Sequence, residues 1–397
     1  MIRKTLLAAL GAGTLLLGAV ATGAPAADAA PSGLHAKRVC SASTQATVAS
    51  CLSKVLVNGQ GAVPHSATPS AGAKTPAQLK DAYKLTGTSS GGRTVAIVDA
   101  YGYPGLAADL ATYRSYFDLP ACTTANGCLT IKDQNGGTSY PRFDTGWAGE
   151  QALDVDAVSA ICPDCKILVV QAKSASIADL GTAVNTAAKQ AGVVAVSNSY
   201  GGGDLSDATY GSYYNHPGIA VTASTGDNGY QGGSFPASST YTTAVGGTSL
   251  FAASGTSRGW TESAWSGAGS GCSTVNTALA AAAGSGTGCA KRAIADVSAA
   301  ADPNNGGMAV YYPTSRTAST WAQVGGTSES APIIASVYAL SGNTTGYANA
   351  LPYSHTANLF DVTGGSNGSC PTTQWCNART GWDGPTGLGT PNGTGAF

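Results

Sequence analysis

The amino-acid sequence predicts an α/β protein, built on a mostly parallel β-sheet that is flanked by helices on both faces. Two observations lead to this prediction. Apolar runs rich in β-branched residues recur along the chain, and stretches with helical periodicity separate them. Strands that are apolar at nearly every position have to be buried on both faces, as in a parallel sheet covered by helices. Functional residues in such sheets lie at the carboxyl ends of the strands.

The predicted elements begin at Thr75-Pro76, where Thr is a favourable N-cap and Pro a favourable first helical residue. This first helix extends to about Leu85. The predicted strands are 93–99, 166–171, 192–198, 218–223 and 242–247. The predicted helices that follow the first are 104–117, 147–161, 175–191 and 327–341.

The chain divides into three parts. Residues 1–29 have the pattern of a secretory signal peptide, with Arg3 and Lys4 before an apolar run that ends in small residues. Residues 30–74 are predicted to be a short prosegment and linker, and residues 75–397 the main domain. We therefore expect a secreted, extracellular protein.

Composition excludes several classes of function. Only 10% of the 397 residues are charged and the net charge is −1, so no basic surface for nucleic acid is indicated. No run of residues after the signal peptide is apolar for long enough to cross a membrane. We expect a monomer that binds neither nucleic acid nor membrane.

The ten cysteines indicate disulfide bonds, because their number is even and the chain carries an export signal. Local bridges are the simplest connectivity, and the candidate pairs are Cys40/Cys51, Cys122/Cys128, Cys162/Cys165, Cys272/Cys289 and Cys370/Cys376. The C-x-x-C spacing of the third pair also occurs in redox motifs and in half of a zinc site. No second C-x-x-C or neighbouring histidine supports a metal, so we interpret this pair as a structural bridge.

Two carboxylates share one face of the predicted helix 147–161. Glu150 and Asp154 are four residues apart, and so stand one above the other. Like charges in this arrangement repel each other unless they share a proton. The pair is either an acid–base element of a catalytic site or part of a solvated helix face.

Ser328 follows a glycine-rich turn, Gly325-Gly326-Thr327, and opens the helix 327–341. Such a turn exposes the serine side chain and points backbone N–H groups at an anion. The alternative is an ordinary helix N-cap.

Asp227 lies in the loop Ser224-Thr-Gly-Asp-Asn-Gly229, after the strand 218–223. A protonated Asp227 would donate a hydrogen bond to a developing oxyanion. An Asp-Asn-Gly turn without a catalytic role is the alternative. A shift of one residue would make the amide of Asn228 the donor instead.

Together these three motifs resemble the sedolisin family of serine-carboxyl peptidases, over roughly residues 75–397. The resemblance implies a subtilisin-like fold and endopeptidase activity at acidic pH. It implies that Ser328 is the nucleophile, Glu150 the general base, Asp154 the residue that orients the base, and Asp227 the oxyanion support. Peptide bonds in proteins would be the substrate, and an acyl-enzyme the intermediate.

The same motifs have two other interpretations. Subtilisin proper would have Asp99 after the first strand and a histidine in a helix before the serine, but the only histidine between Asp99 and Ser328 is His216, next to a strand. Asp99 either extends the carboxylate network or caps the following turn. An inactive, secreted binding protein with the same fold is the non-enzyme alternative.

The C-terminal segments around Phe360-Asp361 and Trp382-Asp383 resemble the calcium-binding segments of the same family. The resemblance implies one structural calcium ion per subunit, since oxygen ligands with two carboxylates suit a hard cation. Two glycine-rich turns without a metal are the alternative. The implied ligands are the side chains of Asp361 and Asp383 and the backbone carbonyls of Val362, Arg379 and Gly381.

Overall fold

The computed structural model describes residues 1–2, 33–343 and 345–397. Apart from its first two residues, the predicted signal peptide lies outside the described residues. Within the described residues, no helix is both long enough and apolar enough to cross a bilayer.

The described part of the chain alternates strands and helices. In chain order the strands are β1 (His35–Arg38), β2 (Ser50–Cys51), β3 (Lys54–Val57), β4 (Thr94–Ala100), β5 (Leu129–Asp133), β6 (Lys166–Ala172), β7 (Val193–Asn198), β8 (Tyr200–Gly201), β9 (Ala220–Ser224), β10 (Thr243–Ala253), β11 (Gly259–Ala264), β12 (Gly271–Cys272), β13 (Ala293–Ile294), β14 (Val297–Ala300), β15 (Met308–Pro313), β16 (Ser319–Gly325), β17 (Leu359–Phe360) and β18 (Thr390–Pro391). The α-helices are α1 (Pro76–Ala82), α2 (Leu106–Tyr116), α3 (Thr145–Ile161), α4 (Ile177–Ala188), α5 (Asp207–Tyr210), α6 (Thr327–Ser341) and α7 (Leu351–Ser354).

The central sheet confirms the predicted α/β architecture. Its order is β11-β10-β9-β7-β4-β6-β5, with β14 also paired to β10. Every pair in it is parallel except β10 with β11. The carboxyl ends of β4, β7 and β9 therefore meet at one edge of the sheet, which is where the candidate site lies.

Helices cover both faces of this sheet. Along β4, Val95 and Ile97 pack in one apolar cluster with α3 and α6, whereas Ala96 and Val98 pack in a second cluster with α4. Side chains of a strand point alternately to its two faces, so this division assigns α3 and α6 to one side and α4 to the other. Burial on both sides explains why these strands are apolar at nearly every position.

A second, four-stranded antiparallel sheet has the order β1-β3-β16-β15. It joins the N-terminal segment to the segment that precedes Ser328, since β3 pairs with β16 through Val55↔Val324 and Lys54↔Gly325. Strand β16 leads directly into α6 and Ser328. Sequence patterns predicted none of these four strands, because their pairing is set by contacts between distant parts of the chain.

The predicted elements of the central sheet are confirmed with small differences in their ends. The main difference is β10, which continues to Ala253 because its second half pairs with β11. The predicted local disulfides are also confirmed: all ten cysteines are paired, and none is free. The bridges are Cys40–Cys51, Cys122–Cys128, Cys162–Cys165, Cys272–Cys289 and Cys370–Cys376.

Candidate active site

Ser328 is buried in the first turn of α6, two residues after Gly326. Gly326 has φ +113°, a conformation that favours glycine, and a Cβ there would lie 2.4 Å from the carbonyl oxygen of Leu52 and 2.6 Å from Oδ2 of Asp227. The absence of a side chain thus lets both oxygens approach the turn. The Ser328 hydroxyl donates to the carbonyl of Ser199 at 3.2 Å, and its N–H donates to the carbonyl of Leu52 at 2.9 Å.

Glu150 and Asp154 are both fully buried on α3. Every residue of the helix from Trp147 to Ile161 is buried, and at Gly149 the ring of Tyr312 packs so closely that a Cβ would lie 2.6 Å from it. The alternative of a solvated helix face is therefore wrong for this pair. A buried carboxylate needs a hydrogen-bond partner, a counter-charge or a proton.

Each carboxylate of the pair has one serine partner. Oε2 of Glu150 accepts a hydrogen bond from the hydroxyl of Ser53, and Oδ1 of Asp154 accepts one from the hydroxyl of Ser199 at 2.8 Å. The other oxygens, Oε1 of Glu150 and Oδ2 of Asp154, are buried without a partner. A proton on either oxygen would remove the charge that burial penalises.

Asp99 belongs to the same group of acids. It is fully buried at the carboxyl end of β4, and neither of its oxygens has a hydrogen-bond partner. Its charge raises the pKa of Glu150 and of Asp154. Of the two interpretations of Asp99, the structure supports the extension of the carboxylate network, because a turn-capping role would require a hydrogen bond to the backbone.

The electrostatics of the three acids favour their protonated forms. Burial, followed by the charge of Asp99, raises the pKa of Glu150 and of Asp154 well above the ordinary range, while the hydroxyl of Ser328 lowers that of Glu150. Burial also raises the pKa of Asp99. Because the three acids interact, they titrate as a unit and hold protons at a pH where isolated carboxyls are ionised.

Asp227 is buried beside the serine turn. Its Oδ1 accepts hydrogen bonds from the N–H and the hydroxyl of Thr327, at 2.8 and 3.0 Å, and its Oδ2 has no partner. Burial raises its pKa to about 6, against smaller opposing effects that include Lys54. Oδ2 is therefore free to carry a proton in acid. This oxygen and the carbonyl oxygen of Leu52 both lie close to Gly326.

The neighbouring Asn228 has a different environment. It is exposed, and its Oδ1 accepts a hydrogen bond from Arg38 at 3.0 Å. Two of the histidines contact groups outside this site: His216 contacts the carbonyl of Tyr213, and His355 contacts the carbonyl of Leu351. This geometry favours Asp227 over Asn228 as the oxyanion donor, and no hydrogen bond joins a histidine to Ser328 in the described part of the chain.

Sequence reasoning missed several residues that complete this arrangement. Ser199 follows β7 and contacts both Ser328 and Asp154, and its position after a buried strand was a signal for it. Leu52, Ser53 and Lys54 come from the segment predicted to be a prosegment, and no local motif indicated that they contact the site. Lys54 donates to the backbone carbonyl of Asp227 at 2.6 Å.

The two C-terminal carboxylates come close together. Oδ2 of Asp361 accepts from the N–H of Gly381 at 2.9 Å, and Oδ2 of Asp383 accepts from the N–H of Arg379 at 3.1 Å. Burial, with a smaller contribution from the charge of Asp361, raises the pKa of Asp383 to about 7. Among the described residues, no cluster of three or more His, Cys, Asp or Glu side chains suits a metal. Two carboxylates that interact electrostatically fit a hard cation if backbone carbonyls supply the other ligands.

Comparison with known proteins decides the family. A model of the subtilase family matches residues 137–355, more than half of the chain. The chain belongs to the subtilase family. The matched range contains all of Glu150, Asp154, Asp227 and Ser328.

This subtilase is similar to peptidases of the sedolisin type, which confirms the resemblance seen in the sequence. It is 30% identical to kumamolisin of Bacillus sp. (strain MN-32) over 370 residues, 83% of the chain and 63% of kumamolisin. It is 42% identical to tripeptidyl-peptidase sed1 of Aspergillus fumigatus over 77 residues, 17% of the chain and 12% of that protein. The chain thus spans less than two thirds of the length of these relatives.

The subtilase also has the fold of a solved sedolisin. The structure of Pseudomonas sedolisin, a serine-carboxyl proteinase complexed with two molecules of pseudo-iodotyrostatin, aligns with a TM-score of 0.66 and 23% identity over 81% of this chain and 96% of that one. This likeness confirms the subtilisin-like α/β fold.

Proposed function

We propose that the protein is a secreted serine-carboxyl endopeptidase that hydrolyses peptide bonds in proteins at acidic pH. The observation that carries the proposal is the burial of Ser328 among Glu150, Asp154 and Asp227, with unpartnered oxygens on all three acids. A peptidase with an imidazole base has no need of such a group. Secretion is supported by the five disulfides and by the signal pattern of residues 1–29.

In the proposed mechanism, Glu150 removes the proton of Ser328 as the hydroxyl attacks the carbonyl carbon of the substrate. Asp154 orients Glu150 and shares its proton. The protonated Asp227 and the N–H of Ser328 donate hydrogen bonds to the oxyanion of the tetrahedral intermediate, and such a donor contributes about 3–4 kcal/mol to the transition state. Glu150 then passes the proton to the leaving amine, which leaves an acyl-enzyme for water to hydrolyse.

The proposal includes an acidic pH optimum, supported by the raised pKa of Asp227, about 6. Above that pH the carboxyl ionises and repels the oxyanion instead of donating to it. At low pH the coupled Glu150 and Asp154 lose their ability to accept the serine proton. Activity should therefore be bell-shaped in pH, with its maximum well below 7.

We also propose one structural calcium ion per subunit, held by Asp361 and Asp383 and by the backbone carbonyls of Val362, Arg379 and Gly381. The support is the approach of two carboxylates, of which Asp383 is buried and carries a pKa raised to about 7. When bound, the ion would supply charge neutralisation to this pair and would stabilise the C-terminal turns.

The deciding experiment is hydrolysis of a denatured protein from pH 3 to 9, by the wild type and by Ser328→Ala, each preincubated in acid. We expect activity confined to acidic pH and lowered at least about 10³-fold by the substitution. Ser330→Ala is the matched control, because Ser330 is buried in the same helix and bonds only to the carbonyls of Ala299 and Ala300. Equal activity of S328A and S330A would contradict the proposal, and so would a maximum near pH 8.

A further inference from the structure

Ser199 lies between strands β7 and β8, at the carboxyl end of the central sheet. It is fully buried. Both neighbours in the chain are fixed by hydrogen bonds of their own. The side-chain amide of Asn198 donates to the carbonyl of Thr222 at 2.9 Å, and the hydroxyl of Tyr200 donates to Oδ1 of Asn198 at 2.8 Å. Ser199 therefore has a fixed place beside the candidate active site.

Two polar groups of Ser199 contact two different members of the site. Its hydroxyl donates to Oδ1 of Asp154 at 2.8 Å, and its carbonyl oxygen accepts a hydrogen bond from the hydroxyl of Ser328 at 3.2 Å. In the described part of the chain, Oδ2 of Asp154 has no hydrogen-bond partner. Ser199 thus connects the buried acid to the proposed nucleophile.

The hydroxyl proton of Ser199 has two acceptors within reach. Oδ1 of Asp154 lies 2.8 Å from the hydroxyl oxygen, whereas the carbonyl oxygen of Ser328 lies 3.3 Å from it. The first distance is typical of an O–H···O hydrogen bond, and the second is longer than the usual range. A carboxylate is also a stronger acceptor than a neutral carbonyl. The hydroxyl therefore donates to Asp154 whenever that acid is ionised.

We propose that Ser199 is a positioning residue of this peptidase, and that its hydroxyl orients Asp154 and keeps Oδ1 of that acid as a hydrogen-bond acceptor. A proton that Asp154 takes up then resides on Oδ2, the oxygen without a partner. The inference rests on the proposed function, in which Asp154 orients Glu150 and shares its proton. It adds a residue that acts on the reaction through Asp154.

The hydroxyl of Ser199 favours the ionised form of Asp154. Burial, followed by the charges of Asp99 and Glu150, raises the pKa of Asp154, and the hydrogen bond from Ser199 lowers it. A hydrogen bond to a charged group is stronger than one to a neutral group, so the effect is larger on the ionised acid. Without this bond the acids would hold their protons to a higher pH. Glu150 would then be unable to accept the proton of Ser328 over a wider range of acidic pH.

Other charged and titratable groups around the acids do not replace this hydrogen bond. The charge of Asp227 raises the pKa of Glu150, and Lys54 acts on Asp227. On β8 and β15, burial raises the pKa of Tyr200 and of Tyr312, so both phenols stay neutral. None of these four groups favours the ionised form of the acids on α3.

Helix α6 contributes one further acid, Glu329, which follows the nucleophile and is fully buried. Burial raises the pKa of Glu329, and the charge of Lys74 opposes this effect. Neither group shifts the pKa of Asp154. Within the described residues, the hydroxyl of Ser199 is therefore the group that favours the ionised form of Asp154.

The first test measures kcat and KM of Ser199→Ala on a denatured protein from pH 3 to 9. The substitution removes the hydroxyl and keeps the backbone carbonyl that contacts Ser328. We expect the acid limb of the kcat profile to move up by about one to two pH units, because the ionised acid loses its hydrogen bond. KM should stay within about twofold of the wild type, since the hydroxyl is bonded within the enzyme.

Ser197→Ala is the matched control. Ser197 is a buried serine of β7, two residues before Ser199, and its hydroxyl has no hydrogen-bond partner. Its acid limb should coincide with that of the wild type. An unshifted limb in Ser199→Ala, or an equal shift in both variants, would overturn the positioning role and leave the proposed function standing. No hydrolysis by the wild type at any pH would contradict the proposed function and, with it, the role of Ser199.

The second test requires no activity. It compares the Tm of Ser328→Ala with that of Ser328→Ala/Ser199→Ala at pH 4 and at pH 7. Loss of the hydroxyl raises the pKa of Asp154 in the folded chain further, and the stability that a raised pKa contributes is lost as the pH rises. The Tm of the double variant should therefore fall by roughly 2 °C more between the two pH values.

The control for the second test is Ser328→Ala/Ser197→Ala, whose Tm should fall between pH 4 and pH 7 as much as that of Ser328→Ala. If the Ser199 double variant also fell no more than Ser328→Ala, the hydroxyl would not favour the ionised form of Asp154. The inference would then be overturned, whatever activity the wild type shows.

Discussion

Asp227 accepts two hydrogen bonds from Thr327 through a single carboxyl oxygen, Oδ1, and this leaves Oδ2 buried without a partner beside the turn of Ser328. The relationship determines which oxygen of Asp227 is available to the proposed oxyanion. Because the N–H of Thr327 is a donor only, Oδ1 has to remain an acceptor, and a proton on the carboxyl resides on Oδ2.

The first prediction concerns substitution of Asp227. In Asp227→Asn the amide oxygen can take the place of Oδ1, and the amide nitrogen can take the place of Oδ2. The amide N–H donates at any pH, so the donor no longer depends on protonation of a carboxyl. We expect kcat within roughly tenfold of the wild type, with activity extending toward neutral pH, whereas Asp227→Ala should lower kcat by about 10²–10³. Asn228→Ala is the control. If it lost activity while Asp227→Ala kept it, the donor would be the neighbouring amide.

The second prediction concerns Asp99, for which we expect a positioning role that acts through Glu150 and Asp154. Its charge raises the pKa of both acids, so Asp99→Asn should lower the apparent pKa of the pair and move the acid limb of the kcat profile to lower pH. Asp156→Asn is the matched control. Asp156 is buried on α3, the helix of Glu150 and Asp154, but its carboxylate accepts a hydrogen bond from the N–H of Tyr311. If the acid limb of the kcat profile lay at the same pH in the wild type and in D99N, the coupling of Asp99 to Glu150 and Asp154 would be contradicted.

The third prediction concerns stability. Burial raises the pKa of Asp227 to about 6, and it also raises the pKa of Asp99, Glu150 and Asp154, so the folded chain binds these protons more tightly than the unfolded chain. Their contribution to the free energy of unfolding is complete below about pH 4, and it is lost as the pH rises through the raised values. In Ser328→Ala, which cannot digest itself, Tm should fall by roughly 5 °C between pH 4 and pH 7.

The matched control for this third prediction is the double variant Ser328→Ala/Asp99→Asn, in which one of the raised acids is absent. Its Tm should fall less between the same two pH values. A Tm that rises from pH 4 to pH 7 in both proteins would contradict the assignment of protonated, buried acids.

The fourth prediction tests the proposed calcium ion. Tm in the presence of a chelator should be roughly 5–10 °C lower than Tm in free calcium at a hundred times its Kd. A ligand that binds only the folded chain stabilises the folded chain. Asp383→Asn keeps an acceptor for the N–H and hydroxyl of Thr386 but removes the charge, so its Tm should no longer respond to chelation. An equal response in both proteins would exclude Asp383 as a ligand.

Local patterns in the sequence were sufficient for five of the eight strands of the central sheet, β4, β6, β7, β9 and β10, but did not predict β5, β11 and β14. Strand β4, residues Thr94–Ala100, was predictable because it is apolar at nearly every position, and the start of α1 because Thr75 and Pro76 form a helix N-terminus. The antiparallel strands were not predictable. Strand β3 is four residues long and finds its partner β16 far along the chain, so no local periodicity indicates the pair.

In the candidate site, too, local patterns predicted one part of the arrangement and only the tertiary structure showed the other. The spacing of Glu150 and Asp154 places them on one helix face whatever surrounds the helix, so the sequence by itself determined that the two acids are stacked. Whether that face meets water or protein was decided by the packing of α3, which buries every residue from Trp147 to Ile161 and brings Tyr312 close to Gly149. Burial in turn decided their pKa values.

The sequence by itself determined the fold class, the close pairs of cysteines and the residue types available for an acid-dependent serine chemistry. Only the tertiary structure decided that Asp99 joins the acids and that Leu52 and Ser53 lie across Ser328. The physical reason is the range of the interactions. Helix spacing and turn chemistry act over a few residues, whereas desolvation and strand pairing depend on groups that folding brings together from distant positions.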